Sequence, residues 1–282
     1  MSTLFEQFIK ERIYVKNVTP KTIIFYRTSF KAYQKIIPSA TVPTKQDLTN
    51  FVIGLREQGL KPVSCNTYIS GFNAYLSWLY ENEYTTEHLK IKKLKFHQRI
   101  MKTFDDKELR RIITHKPRTA LVKIHTLVLT ALDTGCRINE LLTLEKDKVD
   151  LENLLITVTG KGNKDRIIPI SLDCRKILFK YLTSHNSTLV FPNKRGGKMM
   201  YNNVRRDYQL LLKACKVEKC DQSFHSLRRV FAETYVKNGG NIFYLMQTMG
   251  HTDIKTTKQY VKVDVKSLQE THLKTSILTR SR

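Results

Sequence analysis

Six side chains in this sequence have the chemistry for one reaction. Arg137 lies in TGCRINELL at 134–142 and Lys161 in TGKGNKDRIIPI at 159–170. His225 and Arg228 lie in FHSLRR at 224–229, His251 in MGH at 249–251, and Tyr260 in TTKQY at 256–260. Two guanidiniums can grip the non-bridging oxygens of a phosphate bidentately and balance charge as phosphorus becomes five-coordinate. A tyrosine can store a cleaved bond as a covalent ester, and a lysine can protonate a leaving oxygen. The set has no seryl nucleophile and no clear metal cage. It suits attack by a phenol oxygen on a phosphodiester. Each residue alone is ordinary, and Tyr260 is one of thirteen tyrosines. The order and the spacings of 88 (Arg137 to His225), 26 (His225 to His251) and 9 (His251 to Tyr260) carry the weight.

The elements that must position these groups can be read from periodicity and caps. Arg137 opens a short helix after Gly135, with Glu140 one turn on and on the same face. LLITVT at 154–159 and RIIPI at 166–170 are β-branched runs flanking GKGNKD at 160–165, which has hairpin turn chemistry and puts Lys161 at the tip. His225 and Arg228 share one helical face while Leu227 points into the core. Gly250 closes a helix and His251 begins another, where a donor can face an anion. Helices are expected at 119–133, 171–184, 201–215, 225–238, 241–249, 253–262 and 264–275. Thr103 is expected to cap a helix over DDKELRRII, and the paired acids Asp105 and Asp106 read as caps rather than metal ligands.

Residues 1–87 read as four amphipathic helices. Thr19-Pro20 is an N-cap with proline at the first helical position, Thr44 and Asp47 resemble a capping box, and Pro62 starts the fourth helix. Tyr26, Phe30, Tyr33, Tyr68, Phe72 and Tyr75 fall at helical spacing, which reads as core rather than as a base-stacking surface. His88–Lys102 is basic and weakly periodic. It reads as a linker that crosses DNA, with Lys92, Lys93 and Lys95 on the phosphate backbone. The fold class is mainly α: a helical-bundle DNA-binding domain (1–87), a basic linker (88–102) and a mostly helical catalytic domain (103–282) with a small antiparallel β-sheet.

The net charge is +24, from 49 basic and 25 acidic residues, and the parts before and after residue 95 are both basic. The positive surface is therefore no tail, and nucleic acid is the first candidate partner. Five scattered cysteines, with Cys215 and Cys220 unmatched by a second pair, argue against zinc and for reduced thiols in a cytoplasmic protein. No long apolar run or leader is visible, so membrane insertion and secretion are not expected.

The joint pattern resembles the tyrosine recombinase (phage integrase) family over essentially the whole chain. The resemblance implies that Arg137 and Arg228 contact a scissile phosphate, that Glu140 orients the site and that Lys161 is the general acid for the leaving 5′ oxygen. His225 and His251 hydrogen-bond the phosphate, and Tyr260 is the nucleophile. Lys164, Arg166 and Arg229 are expected on DNA; many members carry a histidine where Arg229 stands. No cofactor or metal is implied. The partner is double-stranded DNA with a specific recombination site, and the assembly a homotetramer on paired sites. Val263, Val265 and Leu268 after the nucleophile would dock on a neighbouring subunit. The lack of an added arm-binding domain points to an Xer-like or transposon-encoded enzyme of a prokaryotic cell. Two other readings share features: a type IB topoisomerase, which uses nearly the same residues, and a non-catalytic DNA-binding protein.

Overall fold

The structure is a computed structural model and describes residues 3–38, 42–96, 103–160, 164–217 and 223–250. The chain divides into two compact units, Met1–Ile100 and Met101–Arg282.

The first unit holds four helices: α1 (Thr3–Tyr14), α2 (Pro20–Ile36), α3 (Lys45–Glu57) and α4 (Pro62–Glu81). Their starts follow from local chemistry. Thr19 caps α2 by accepting from the Thr22 backbone N–H, with Pro20 at the first position. Thr44 and Asp47 form a reciprocal capping box, Asp47 N to Thr44 Oγ1 at 3.2 Å and Thr44 N to Asp47 Oδ2 at 2.9 Å. The aromatics fill the core as their spacing requires. Phe5 stacks on Phe30 at 3.7 Å between centroids and Tyr33 on Phe72 at 4.1 Å, while Tyr75 meets Phe5 edge-on. Each such pair contributes about 0.5–1.5 kcal/mol beyond its buried area. Gly71 lets α4 lie close on α2, since a Cβ there would fall 2.2 Å from Ser29 Oγ.

The stretch after α4 departs from a plain linker. Ile91 is buried, and Leu89 and Leu94 pack against the helical core. Two asparagines seven residues apart on α4 clamp this strap by its backbone. Asn73 Nδ2 donates to Ile91 O and receives the Ile91 N–H on Oδ1, both at 2.9 Å. Asn66 does the same to Leu94, at 2.9 and 2.8 Å. Lys92, Lys93 and Lys95 remain exposed. Residues 89–94 thus belong to the first unit's packing, and what looked unpatterned is a strand-like segment paired to side-chain amides. Residues 97–102 of the expected linker lie outside the described residues.

The second unit is built around α6 (Thr119–Thr134), against which α8 (Leu172–Leu182), α9 (Tyr201–Ala214) and α10 (Phe224–Lys237) pack. Ile124, Leu127, Val128 and Ala131 face that core. Ahead of α6 lies α5 (Asp106–Thr114), whose cap is Asp105 in a box with Glu108. The expected cap at Thr103 is corrected: its hydroxyl donates to Glu233 at 3.2 Å instead. Between α6 and α8 come α7 (Ile138–Leu142) and three antiparallel strands, β1 (Val149–Asp150), β2 (Leu155–Thr159) and β3 (Asp165–Pro169). Ile156 pairs with Ile168 and Val158 with Arg166 across β2 and β3. Inward positions therefore alternate as Arg166, Ile168 and Ile170. The hairpin closes with Gly160 N on Lys164 O at 2.8 Å. The last described helix, α11 (Ile242–Met249), ends at Gly250 in the left-handed conformation (φ 62°). The helices expected at 253–262 and 264–275 lie outside the described residues.

Candidate active site

Four of the second unit's side chains meet where α6, α7, β3 and α11 end. Gly135 closes α6 with φ 63°, and a Cβ there would come 2.3 Å from the Phe231 ring. Glycine is thus needed both for the turn and for the close approach of α10. The turn delivers Arg137 to the N-terminus of α7, where Glu140 accepts its backbone N–H at 2.7 Å.

Glu140 is the hub. Arg137 Nη1 donates to its Oε1 at 2.9 Å. Arg166 reaches from β3 and grips both oxygens, Nη1 to Oε1 at 2.9 Å and Nη2 to Oε2 at 2.7 Å. The Glu140 side chain is only 5% exposed. Burial alone would raise its pKa, but the Arg166 fork and the Arg137 backbone and side chain overcome that and hold it below the usual carboxylate value. The carboxylate is therefore charged at neutral pH.

The C-terminus of α11 is the second focus. Arg166 Nε donates to Thr248 O at 2.7 Å. Arg228, buried on α10, donates to both Gly135 O and Met249 O. Arg137 reaches the same Met249 oxygen at 3.3 Å and Gly250 O at 3.5 Å. The carbonyls of Thr248 and Met249 lie at the C-terminal end of α11, the negative end of its dipole, which guanidiniums satisfy. Arg137, Arg166 and Arg228 gather around one buried carboxylate and these carbonyls. Arg137 keeps 37% of its side chain exposed and its bonds to α11 are long, so it retains capacity for an anion.

His225 is exposed on the first turn of α10, three residues before Arg228, and Leu227 is buried as expected. Lys164 is exposed beside the hairpin end, and Arg229 is half-buried on α10. Arg166 requires a correction: its side chain is 10% exposed and turned inwards on Glu140 and Thr248, so it frames the site instead of lying on a DNA-facing surface. Strand alternation with Ile168 and Ile170 was the signal for this. Lys161, His251 and Tyr260 lie outside the described residues. Cys65, Cys136, Cys174 and Cys215 are free thiols, and burial pushes Cys136 up to about 11, so it is a packing group beside Arg137 and no nucleophile. Among the described residues there is no group of three or more His, Cys, Asp or Glu side chains able to hold a metal. No helix among them is long and apolar enough to cross a membrane.

Comparison with known proteins gives the family and the fold. Residues 102–267 match the model described as the phage integrase family. The tyrosine recombinase XerD of Listeria monocytogenes serovar 1/2a (strain ATCC BAA-679 / EGD-e) is 24% identical over 96% of this chain and 98% of its own length. The tyrosine recombinase XerA of Pyrococcus horikoshii (strain ATCC 700860 / DSM 12428 / JCM 9974 / NBRC 100139 / OT-3) is 28% identical over 81% of this chain and 79% of its own. Among solved structures, the Tn1549 transposon integrase in complex with circular intermediate DNA superposes with a TM-score of 0.78 at 17% identity, covering 96% of this chain and 99% of the other. That likeness shows the fold.

Proposed function

The chain belongs to the phage integrase family and is a tyrosine site-specific recombinase, and from that premise we propose how its own residues divide the work. The phenol of Tyr260 attacks a scissile phosphate in line. Arg137 and Arg228 bind the non-bridging oxygens. His225 and His251 hydrogen-bond the same phosphate and help manage the tyrosine proton. Lys161 protonates the departing 5′ oxygen. The product is a 3′-phosphotyrosyl ester with a free 5′-hydroxyl. A 5′-hydroxyl from a partner duplex then attacks the ester, the tyrosine leaves, and the strand is rejoined. The phosphodiester energy stays in the ester, so the cycle needs no ATP. Guanidiniums carry the charge that metal ions neutralise in other phosphoryl transfers.

One observation carries this reading: Arg137 and Arg228, 91 positions apart in the sequence, both donate to the Met249 carbonyl two residues before His251. Two guanidiniums on one acceptor are poised for one tetrahedral anion. A type IB topoisomerase would use similar residues, but the curated relatives over nearly the whole length are named as recombinases.

We further assign the chain a tetramer on two paired sites, because exchange of two duplexes needs four nucleophiles. Lys92, Lys93, Lys95, Lys164 and Arg229 serve as phosphate contacts that set register on duplex DNA. Its location would be the cytoplasm, with the DNA it acts on, and a role within a mobile element fits the same chemistry. The test is Tyr260→Phe with a suicide substrate nicked near the cleavage point. Wild type should trap a covalent adduct seen as a slow gel band, and the variant should bind DNA with near-normal affinity and trap none. An adduct with the Phe variant would remove Tyr260 from the role.

A further inference from the structure

We propose that Arg166 is a positioning residue for cleavage, a single guanidinium that braces the backbone just ahead of Lys161 and just ahead of His251 while holding Glu140 beside Arg137. The inference rests on the recombinase reading and concerns a residue that touches no reacting atom.

The guanidinium has four neighbours, each tied to a different part of the proposed machinery. It grips both Glu140 oxygens at 2.9 and 2.7 Å. Its Nε holds Thr248 O at 2.7 Å. A Cβ built on Gly160, which directly precedes Lys161, would sit 3.3 Å from its Nη1. A Cβ on Gly250, which directly precedes His251, would sit 3.1 Å from its Cδ and 3.2 Å from Nε and Nη1. Both glycines therefore lie close against this side chain, and a Cβ on either would make it give by a few tenths of an ångström. The hairpin and the end of α11 cannot shift relative to each other without moving it.

The charge logic points the same way. Glu140 is buried and ionised, so it must be paired. With Arg166 occupying both of its oxygens, Glu140 takes only one donor from the Arg137 guanidinium. Without the fork, the carboxylate would draw Arg137 onto itself and away from phosphate. Lysine cannot substitute, because one ammonium cannot make a planar fork and a third bond from Nε at once.

The test is Arg166→Lys, which keeps the charge and removes the fork. On a nicked suicide substrate, the single-turnover rate of adduct formation should fall on the order of a hundredfold, as ångström-scale misplacement of reacting groups does. Affinity and the salt dependence of target binding should be unchanged. An adduct rate within twofold of wild type overturns the inference. So does a salt slope smaller by about one unit, the signature of a lost phosphate contact. Arg166→Gln with Glu140→Gln separates positioning from folding, because it removes both charges and keeps a hydrogen-bonding pair. The comparison is made at a temperature where circular dichroism shows the proteins folded. Restored cleavage overturns the inference, because charge balance alone would then suffice. Wild type that forms no adduct would defeat the recombinase reading itself, whereas normal cleavage by Arg166→Lys defeats this inference alone.

Discussion

Replacing Asn73 with alanine should loosen the lysine strap without unfolding the helices beneath it. Asn73 makes two hydrogen bonds to one residue, giving its Nδ2–H to Ile91 O and accepting the Ile91 N–H, each at 2.9 Å. At about 1 kcal/mol net apiece, losing both costs the docked strap about 2 kcal/mol. That is roughly a thirtyfold rise in the open population. The strap would still be mainly closed, because Asn66 holds Leu94 and the buried Ile91 side chain contributes about 1.5–3 kcal/mol by itself. The assay is amide hydrogen exchange at Ile91 and Leu94, with limited trypsin cleavage after Lys90, Lys92 and Lys93 as a second readout. Both rates follow the open population when closing outpaces cleavage. Asn66→Ala should behave alike, and the double variant should expose the strap further. Ile91 exchange within threefold of wild type would refute the idea that side-chain amides hold this segment.

Four further outcomes are expected. Lys161→Ala should cleave slowly with an ordinary leaving group and recover much of its rate on a 5′-bridging phosphorothiolate, which leaves without a proton; equal defects on both would make Lys161 a DNA contact and Lys164 the next candidate acid. Replacing Lys92, Lys93 and Lys95 with glutamine should weaken binding to all sequences alike and reduce the slope of log K against log salt by up to about three units, and an unchanged slope would take the strap off the DNA. Cleavage should persist in EDTA, and an absolute requirement for Mg²⁺ would overturn the charge assignment to side chains. Glu140 has a folded pKa below its ordinary value of 4.5, so its contribution to stability is full above that value and lost as pH falls through the lower folded one. Thermal midpoints of wild type and Glu140→Gln should therefore differ at neutral pH and draw together as pH falls below 4.5 towards the lower folded pKa.

The helices were legible because their starts are chemically punctuated. Thr19-Pro20, the Thr44–Asp47 box and the Gly250 stop each act within one turn, so local reading finds them. β1 was missed because Val149–Asp150 is too short to show a period. Thr103 was read as a cap because it precedes a helical pattern, but Asp105 stands nearer and competes better for the free N–H groups. Arg137, Glu140 and Arg228, singled out by motif and order, come together in the structure, and His225 lies exposed on the first turn of α10. Arg166 was placed on the surface because a cation near a hairpin tip is usually solvated; only its strand parity with Ile168 shows that it points inwards. The strap shows only weak periodicity because what holds it is a pair of side-chain amides, Asn66 and Asn73, on a helix where they look like ordinary polar positions.

The threads that close the arginine cluster are long ones. Arg166 bonds across 82 positions to Thr248, Arg228 across 93 to Gly135, and Arg137 across 112 to Met249. A chain emerging from the ribosome presents Arg137 beside Glu140 well before the Met249 carbonyl exists. Glu140 can gather Arg137 and Arg166 early, but Arg137 and Arg228 share an acceptor only once Met249 is in place. A copy that stops before Met249 lacks the acceptor on which Arg137 and Arg228 meet.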